Sequence, residues 1–442
     1  MTSAPVRLNI VELPVHPDSV VETVKEGISS SPAEEFKNFA NAEKECVRIT
    51  VYHSWAQVEE RIPGWERIVN ASPASSIFST PEWLGSWWKA FGSQKQMIAL
   101  AFSNAKGELV GLAAFYLDDF QSPLFGKLKC LRFVGDGSGD SDNLDLIVDR
   151  EHENACAAGL IEWLKVRSDW DLCQLNTLPR DSAATNTLLQ LLKARGWTCT
   201  TRERPRLTID LPETWDRYLM SLSQKERTKV RYYSRRLERV YDVRFFKCTS
   251  IESLPDSLEA LFALHQKRWR MRSELGSFAS AARRNFYYLV ARSSLKKNRL
   301  ELWILRLNGK PVAAQFGFRY RDTVYSLQEG FDPDYATYKV GYVLRSHILR
   351  ELISERVRRY DFLAGQDSSK ERWGTHNEEY FDLHFGKPWT RGAAHLTALV
   401  QAQALKEWMR KHLPSCAWNI LHRLNLRLAT QQSISSELRP VL

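Results

Sequence analysis

The sequence predicts an α/β (α+β) fold made of two similar units. Residues 300–363 combine strand patterns with one amphipathic helix, and part of this order recurs near residues 101–115. The chain of 442 residues is also too long for one ordinary hydrophobic core. Hydrophobic residues make up 43% of the chain and charged residues 26%, which is typical of a globular protein.

The clearest elements lie in the second half of the chain. Alternating apolar residues predict three strands, and Asn308-Gly309 between the first two is typical of a two-residue hairpin turn. The three strands are Leu300–Leu307, Pro311–Phe318 and Thr323–Gln328. A helix follows, in which Leu344, Ile348 and Leu352 repeat every four residues, and a last strand spans Val357–Leu363.

The first half of the chain carries a similar order of elements. Ala101–Gly107 and Glu108–Phe115 match Leu302–Gly309 and Lys310–Phe316, each pair being a strand, a glycine turn and a second strand. The match continues with Leu144–Val148, a helix over residues 155–165 and the strand Asp171–Asn176. In the second copy Gly341 stands where the helix begins, but the first copy has no glycine at the corresponding position. We therefore expect any ligand-binding site to lie in the second copy.

Composition divides the chain into four segments. These are residues 1–46, 47–206, 207–390 and 391–442. The first is rich in proline and polar residues and is expected to be a flexible arm. The middle two are the similar units. The last is predicted as a helical extension, because Leu399, Ala402, Leu405 and Trp408 share a helix face.

Several classes of protein are disfavoured by the sequence. No apolar run approaches the roughly 18 residues that a membrane helix needs, and residues 1–30 lack the apolar core of a signal peptide. We therefore expect a cytoplasmic protein. The seven scattered cysteines include no CxxC pair, which favours reduced thiols over disulfides or zinc. The ten histidines show no metal-binding spacing, so no metal is expected.

The net charge of +10 is concentrated in one segment. Between Arg217 and Lys247, ten Lys and Arg residues stand against three Asp and Glu residues, a net charge of +7. Residues Ser221–Val240 are predicted as one helix, in which Lys225 and Lys229 project away from the apolar stripe. This helix is either an ordinary solvated face or a binding surface for phosphate or carboxylate groups.

A glycine stands where the helix after the third predicted strand begins. Tyr338-Lys339-Val340-Gly341 precedes Tyr342, the first predicted helical residue. A helix start presents free N–H groups and the positive end of the helix dipole. Glycine there lets a phosphate approach the backbone closely, although a helix start without a ligand is also common.

Together, these motifs resemble the GNAT superfamily of acyl-CoA-dependent acyltransferases. More narrowly, the sequence is similar to the cellulose- and exopolysaccharide-associated acetyltransferases, which are related to the Fem-type aminoacyltransferases. The motifs are Phe78–Leu84, Ser223–Arg231, His265–Trp269, Gly309–Ala314, Gly330–Pro333, Tyr338–Gly341, Asp361–Gly365 and Lys370–Trp373. The resemblance covers about residues 50–390. It implies two tandem GNAT-like units, each a mixed and mainly antiparallel sheet flanked by helices, with a C-terminal helical extension.

The resemblance implies an acyl-CoA donor, most simply acetyl-CoA, bound between the strands on either side of the glycine helix. The implied pyrophosphate-binding residues are Tyr338, Lys339, Val340, Gly341 and Tyr342. The chain departs from the usual GNAT loop where Tyr338 replaces Arg or Gln. Lys225 and Lys229 are candidates for binding substrate phosphate, and a CoA 3′-phosphate, a nucleotide sugar or an RNA backbone would all fit that helix.

Further candidates serve catalysis and acceptor binding. The acid–base candidates are Glu329, Asp361 and His265, and the acceptor-binding candidates are Arg268, Trp269 and Lys370. Both carboxylates lie at or next to the expected donor site, and histidine titrates near neutral pH. Each candidate also has a structural interpretation, as a hydrogen-bonded carboxylate, a packed helical residue or a surface lysine.

Our first hypothesis is an acyl-CoA-dependent N- or O-acyltransferase acting on a sugar, amino sugar or polysaccharide precursor. The acceptor would attack the thioester directly from the cleft between the units, because no cysteine has the setting of a nucleophile. One alternative is a Fem-like transferase that uses aminoacyl-tRNA, supported by the basic helix. Another is a non-enzymatic nucleic-acid-binding protein, for which no recognised motif is present.

Overall fold

The computed structural model describes residues 47–412 except 73, 74, 272, 273, 275 and 366, and the backbone of two short strands before them. The remaining residues of the predicted arm, and residues 413–442 of the predicted extension, lie outside the described residues.

Within the described residues, fifteen strands form one sheet. They are β1 (Leu8–Asn9), β2 (Glu34–Phe36), β3 (Arg48–Tyr52), β4 (Gln96–Ser103), β5 (Leu109–Ser122), β6 (Gly126–Phe133), β7 (Ile147–Val148), β8 (Leu172–Pro179), β9 (Thr198–Asp210), β10 (Val243–Lys247), β11 (Leu300–Leu307), β12 (Lys310–Tyr320), β13 (Thr323–Phe331), β14 (Arg359–Ala364) and β15 (His376–Gly386). Their order is β10-β11-β12-β13-β14-β9-β15-β8-β6-β5-β4-β3-β2, with β1 beside β9 and β7 beside β5. The pairs β6–β8 and β13–β14 are parallel, and the other described pairs are antiparallel.

Twelve α-helices flank the sheet in the described part of the chain. They are α1 (Trp55–Glu59), α2 (Ile62–Ala71), α3 (Pro81–Phe91), α4 (Glu153–Val166), α5 (Ala183–Ala194), α6 (Trp215–Ser221), α7 (Gln224–Glu238), α8 (Leu254–Arg270), α9 (Ala281–Lys296), α10 (Val340–Ser354), α11 (Ser368–Glu371) and α12 (Arg391–His412). The predicted fold class is confirmed: the sheet is mixed and mainly antiparallel, helices flank it, and a C-terminal helix follows.

The two halves repeat one arrangement and then exchange strands. In each half a hairpin leads to a third strand, and a helix (α4 or α10) crosses to a parallel strand, β8 or β14. The long strand β9 of the first half pairs with β14 and β15 of the second, and β15 lies between β9 and β8. The predicted boundary between residues 206 and 207 falls inside β9, and the division into domains stays a prediction.

The two halves share one hydrophobic core. Trp83 of α3 is fully buried, and its ring packs edge-on against Phe286 of α9 and Phe318 of β12, at centroid distances of 5.1 and 5.3 Å. A second apolar cluster surrounds α10 and includes Ile348 and Tyr360. The second half is therefore packed against the first through a common core, and α10 is buried along one face.

Local capping explains where the helices depart from the predicted bounds. The predicted helix Ser221–Val240 corresponds to α7, which begins three residues later because Leu222 is extended and the Ser223 side chain accepts a hydrogen bond from the N–H of Glu226; Ser221 ends α6. No helix in the described part of the chain has the length and apolarity needed to cross a membrane.

Candidate functional site

The strands β13 and β14 separate after a short parallel contact. Residues 323–325 pair with residues 359–361, and beyond Tyr325 the strand β13 pairs with β12 alone. On the other side, β14 bends where Leu363 adopts a left-handed conformation, with φ of 62°. A gap therefore opens between two neighbouring strands, and α10 begins above it.

An open cleft of about 230 Å³ lies beside the diverging end of β13, between β13, the start of α10 and the α11 segment that follows β14. It is lined by Arg268, Ala314, Gln315, Glu329, Gly330, Phe331, Ala336, Lys339, Val340, Gly341, Tyr342, Leu344, Arg345, Ser369, Arg372 and Trp373. Four of the five predicted donor-binding residues, all except Tyr338, thus line one cleft.

The start of α10 presents bare backbone to the cleft. Lys339 adopts a left-handed conformation (φ 56°, ψ 42°) just before the helix, and no side chain caps it. The N–H groups of Val340 and Gly341 have no acceptor within the helix. A Cβ added to Gly341 would meet its nearest atom, Cδ1 of Phe331, at 3.9 Å. Packing therefore does not require glycine at this position.

The cleft is strongly cationic. Arg268, Lys339, Arg345 and Arg372 line it together with one carboxylate, Glu329. This imbalance favours an anionic ligand over a neutral or cationic one.

Glu329 is held between two arginines. One carboxylate oxygen accepts a hydrogen bond from Nη1 of Arg268 at 3.0 Å, and the other accepts one from Arg345. Burial opposes ionisation, but the charges of Arg345 and Arg268 outweigh it and hold the pKa of Glu329 below its usual value. At neutral pH Glu329 is an ionised carboxylate with both oxygens engaged.

His265 and Trp269 lie behind the cleft wall. His265 is 2% exposed, and its Nε2 accepts a hydrogen bond from the Trp269 indole at 2.8 Å. Burial, with the nearby charge of Arg268, lowers the pKa of His265 to about 4. The imidazole is therefore neutral at physiological pH. Within the motif His265–Trp269, only Arg268 lines the cleft.

Asp361 ties strands together away from the cleft. Its side chain is fully buried, with one oxygen 2.6 Å from Nη2 of Arg206 on β9. The other oxygen accepts the N–H of Leu363 at 2.8 Å, which supports the bend in β14.

Lys370 caps the end of β14. Its ammonium lies 3.1 Å from the carbonyl oxygen of Phe362, 3.3 Å from that of Ala364 and 3.1 Å from that of Gly365. Burial lowers the pKa of Lys370, although the Asp142 carboxylate opposes this change. The lysine therefore donates hydrogen bonds to three carbonyl oxygens at the end of β14.

Asp142 is the main residue of this region that sequence reasoning missed. It belongs to a glycine-rich loop of the first half, residues 135–143, which reaches the end of β14. One carboxylate oxygen accepts the N–H of Ala364 at 2.8 Å. Burial, reinforced by Asp361, raises the pKa of Asp142 to about 6. In the sequence, the alternation of Gly with Asp and Ser at residues 135–142 is the pattern that could have indicated a functional loop.

The two lysines of α7 differ in position. Lys229 lies 2.5 Å from Oε1 of Glu226, and the Tyr342 hydroxyl donates to the other oxygen of that carboxylate at 3.2 Å. Lys229 is therefore linked to the start of α10. Lys225 is exposed and lies outside the cleft. Tyr338 lies below the guanidinium of Arg236, 4.8 Å from its ring centroid.

Among the described residues, no group of three or more His, Cys, Asp and Glu side chains could hold a metal ion. The five described cysteines are free thiols, and none of them lines the cleft.

Residues 224–382 match the family model described as "Acetyltransferase (GNAT) domain". No curated protein sequence matches the chain.

Several solved structures are similar to the chain. The crystal structure of FemX has a TM-score of 0.50 and 13% identity, covering 75% of this chain and 96% of that one. The C-terminal domain of a putative lysylphosphatidylglycerol synthetase from Agrobacterium fabrum has a TM-score of 0.47 and 13% identity, covering 78% and 96%. A tandem GNAT protein from the clavulanic acid biosynthesis pathway has a TM-score of 0.42 and 11% identity, covering 77% and 98%.

The chain therefore has a GNAT-type acyltransferase fold. At these identities the structural similarity extends to the fold alone. The narrower resemblance to exopolysaccharide-associated acetyltransferases has no counterpart among these matches.

Proposed function

We propose that the chain is an acyl-CoA-dependent acyltransferase, with acetyl-CoA as the simplest donor. The observation that carries the proposal is the cationic cleft beside the end of β13, with the uncapped start of α10 above it. A thioester donor of coenzyme A needs both features, an anion site for its pyrophosphate and a narrow channel for its extended arm.

The proposed placement of the donor follows from the lining of the cleft. The pyrophosphate would accept the N–H groups of Val340 and Gly341, with Lys339 supplying charge. The pantetheine arm would run between the strands against Ala314 and Leu344, which are apolar lining residues. The acyl group would then lie on the Arg268 side of the cleft.

In the proposed reaction, an amine or hydroxyl of the acceptor attacks the thioester carbonyl carbon. A C–N or C–O bond forms, the C–S bond breaks, and the nucleophile loses a proton while the departing thiolate gains one. Glu329 is already bonded to two arginines, so we assign it to positioning Arg268 and Arg345 rather than to proton transfer. His265 and Asp361, which are buried outside the cleft, are likewise assigned to positioning.

We assign the proton acceptor to Asp142. The residue is partly exposed, and burial raises the pKa of its carboxyl to about 6, which suits a general base at neutral pH. It lies beside Lys370 at the end of β14, next to the cleft but outside its lining, and accepts the N–H of Ala364. This role would place the acceptor between the two halves. Trp269, Lys225 and Lys229 remain candidates for acceptor or phosphate binding.

The acceptor is proposed from the sequence resemblance alone, as a sugar, amino sugar or polysaccharide precursor. The rival donor is aminoacyl-tRNA, and the observation that favours it is the fold similarity to FemX. One titration separates the two donors.

The test is calorimetric titration of the full chain with acetyl-CoA, beside the Gly341→Glu variant. The glutamate would add bulk and negative charge where the pyrophosphate is placed, at a position where an added Cβ has no contact closer than 3.9 Å. Ala282→Glu is the matched control, because it adds the same side chain to the exposed first turn of α9.

Saturable binding to the wild type and to the control, with loss in a folded Gly341→Glu variant, would support the donor site. If neither acetyl-CoA nor longer acyl-CoA molecules bind the wild type, the proposal is wrong. Aminoacyl-tRNA would then be the donor to test.

A further inference from the structure

A row of arginines lies on the outer face of α7. Arg227, Arg231, Arg235 and Arg239 follow one another at intervals of four residues. At a rise of about 1.5 Å per residue, the row extends over roughly 18 Å of helix. Together with α6, the row lines a shallow groove on the protein surface. We call this surface the arginine groove.

In the described part of the chain, no side-chain carboxylate lies within 4.0 Å of a guanidinium nitrogen of these four arginines. Other cations of the same helix are engaged. Lys229 pairs with Glu226, and Arg236 donates to the carbonyl oxygen of Thr337. The groove contains one acidic residue, Asp216. It is therefore a concentration of uncompensated positive charge, and most of the chain's net charge lies in this segment.

Apolar and aromatic side chains stand among the guanidinium groups. Tyr232 is 55% exposed and Met220 is 74% exposed, and both line the groove. Neither is covered by another described part of the chain. An exposed tyrosine ring beside guanidinium groups is the combination on which unpaired bases stack while phosphates are bound.

The shape and the residue type favour RNA over a lipid bilayer. The apolar face of α7, with Val230 and Leu237, is buried against the protein, so the helix has no free apolar face to insert into a membrane. The groove is also concave, so a flat lipid bilayer could not contact its floor, whereas a single nucleic-acid strand could lie in it. Arginine, unlike lysine, binds phosphate oxygens in a two-pronged geometry.

We propose that the arginine groove binds single-stranded RNA, or an unpaired region of a folded RNA, through its phosphate backbone. The groove and the donor cleft share no lining residue. The inference therefore goes beyond the proposed acyl transfer and does not depend on the identity of the acyl donor.

The test measures fluorescence anisotropy of a labelled single-stranded RNA of about 20 nucleotides, titrated with the full chain at several salt concentrations. The variant Arg231→Gln/Arg235→Gln removes two exposed arginines from the middle of the row. The control Arg292→Gln/Arg350→Gln removes two exposed arginines from α9 and α10, so the net charge is the same. Circular dichroism and acetyl-CoA titration of each variant check the fold and the donor cleft.

We expect salt-dependent binding to the wild type, weakened about tenfold or more in the groove variant and less than threefold in the control. The slope of log K against log salt should fall by about 1.4 in the groove variant, since each single-strand phosphate contact contributes about 0.7. Acetyl-CoA binding should be the same in all three proteins.

Three results would overturn the inference. The first is no RNA binding by the wild type, and the second is equal weakening in the groove and control variants. The third is binding to vesicles of 30% phosphatidylglycerol in phosphatidylcholine that is lost in the groove variant while RNA does not bind. If the wild type does not bind acetyl-CoA, the proposed function is wrong. The RNA inference is then still decided by the anisotropy results alone.

Discussion

Two glycines of the donor half, Gly330 and Gly341, are predicted to respond in opposite ways to one added methyl group. A Cβ on Gly330 would lie 2.4 Å from the backbone nitrogen of His265 and 2.7 Å from the carbonyl carbon of Leu264. On Gly341 the nearest atom would be 3.9 Å away. Gly330 therefore permits α8 to pack on β13, whereas Gly341 leaves backbone open to the cleft.

The magnitudes follow from these contacts. To relieve the contact in Gly330→Ala, α8 must move by about 1 Å, and no side-chain rotation helps because the contacted atoms are backbone. Overpacking costs typically 1–3 kcal/mol, and we take about 3 kcal/mol because α8 is anchored in the core. At about 2 °C per kcal/mol for a large domain, the Tm should fall by roughly 6 °C. Gly341→Ala should leave stability unchanged or raise it by up to about 1 kcal/mol, since alanine favours a helix.

The assays are thermal and urea unfolding followed by circular dichroism, and acetyl-CoA titration of the folded Gly341→Ala variant. Gly341→Ala should weaken acetyl-CoA binding by about tenfold, because the methyl group separates the phosphate from the N–H groups. Gly330→Ala tests stability alone, because a movement of α8 would also displace Arg268 of the cleft lining. Destabilisation by Gly341→Ala, or full binding by that variant, would refute the reasoning.

Three further substitutions test the charges around the cleft. Arg345→Met should lower the free energy of unfolding by about 2 kcal/mol, less than the 3–5 for a fully buried pair because Glu329 is 36% exposed. The pKa of Glu329 is depressed, so this stabilisation is present at neutral pH and lost as the pH falls through that pKa. The difference between wild type and variant in urea unfolding should shrink below about pH 4, and a constant difference would contradict the pairing. Asp142→Asn should lower kcat/KM about 100-fold and abolish a rise in rate near pH 6, whereas an unchanged pH profile would remove Asp142 from proton transfer. Trp269→Phe leaves Nε2 of His265 buried without its donor, so stability should fall by about 1–3 kcal/mol; a neutral effect in thermal unfolding would show that the hydrogen bond is dispensable.

The local elements of the donor half could be predicted because their signals are local. Asn308 and Gly309 both have positive φ, as the two-residue turn requires, and Leu307 pairs with Lys310 across it. The apolar period of α10 likewise reflects a helix whose inner face is buried. Such features depend on neighbouring residues, so they can be identified from one sequence.

The partners of the charged residues could not be predicted in this way. The position of Glu329 at the end of a strand predicts an acid–base group. Its role depends, however, on Arg268 and Arg345, which come from two different helices. Asp142 reaches the site from the first half, more than 200 residues before Ala364. The exchange of β9 and β15 is also a long-range pairing that no local periodicity specifies.

The central claim is that an acyl-CoA pyrophosphate binds at the start of α10, and hydrogen–deuterium exchange of the full chain with and without acetyl-CoA tests it directly. The N–H groups of Val340 and Gly341 lack acceptors within the helix, so they should exchange rapidly in the free protein. With saturating acetyl-CoA, peptides covering residues 338–345 should exchange more slowly, while those of α7 remain unchanged. Unchanged exchange at residues 338–345 under saturating acetyl-CoA, or protection confined to another part of the chain, would contradict the account.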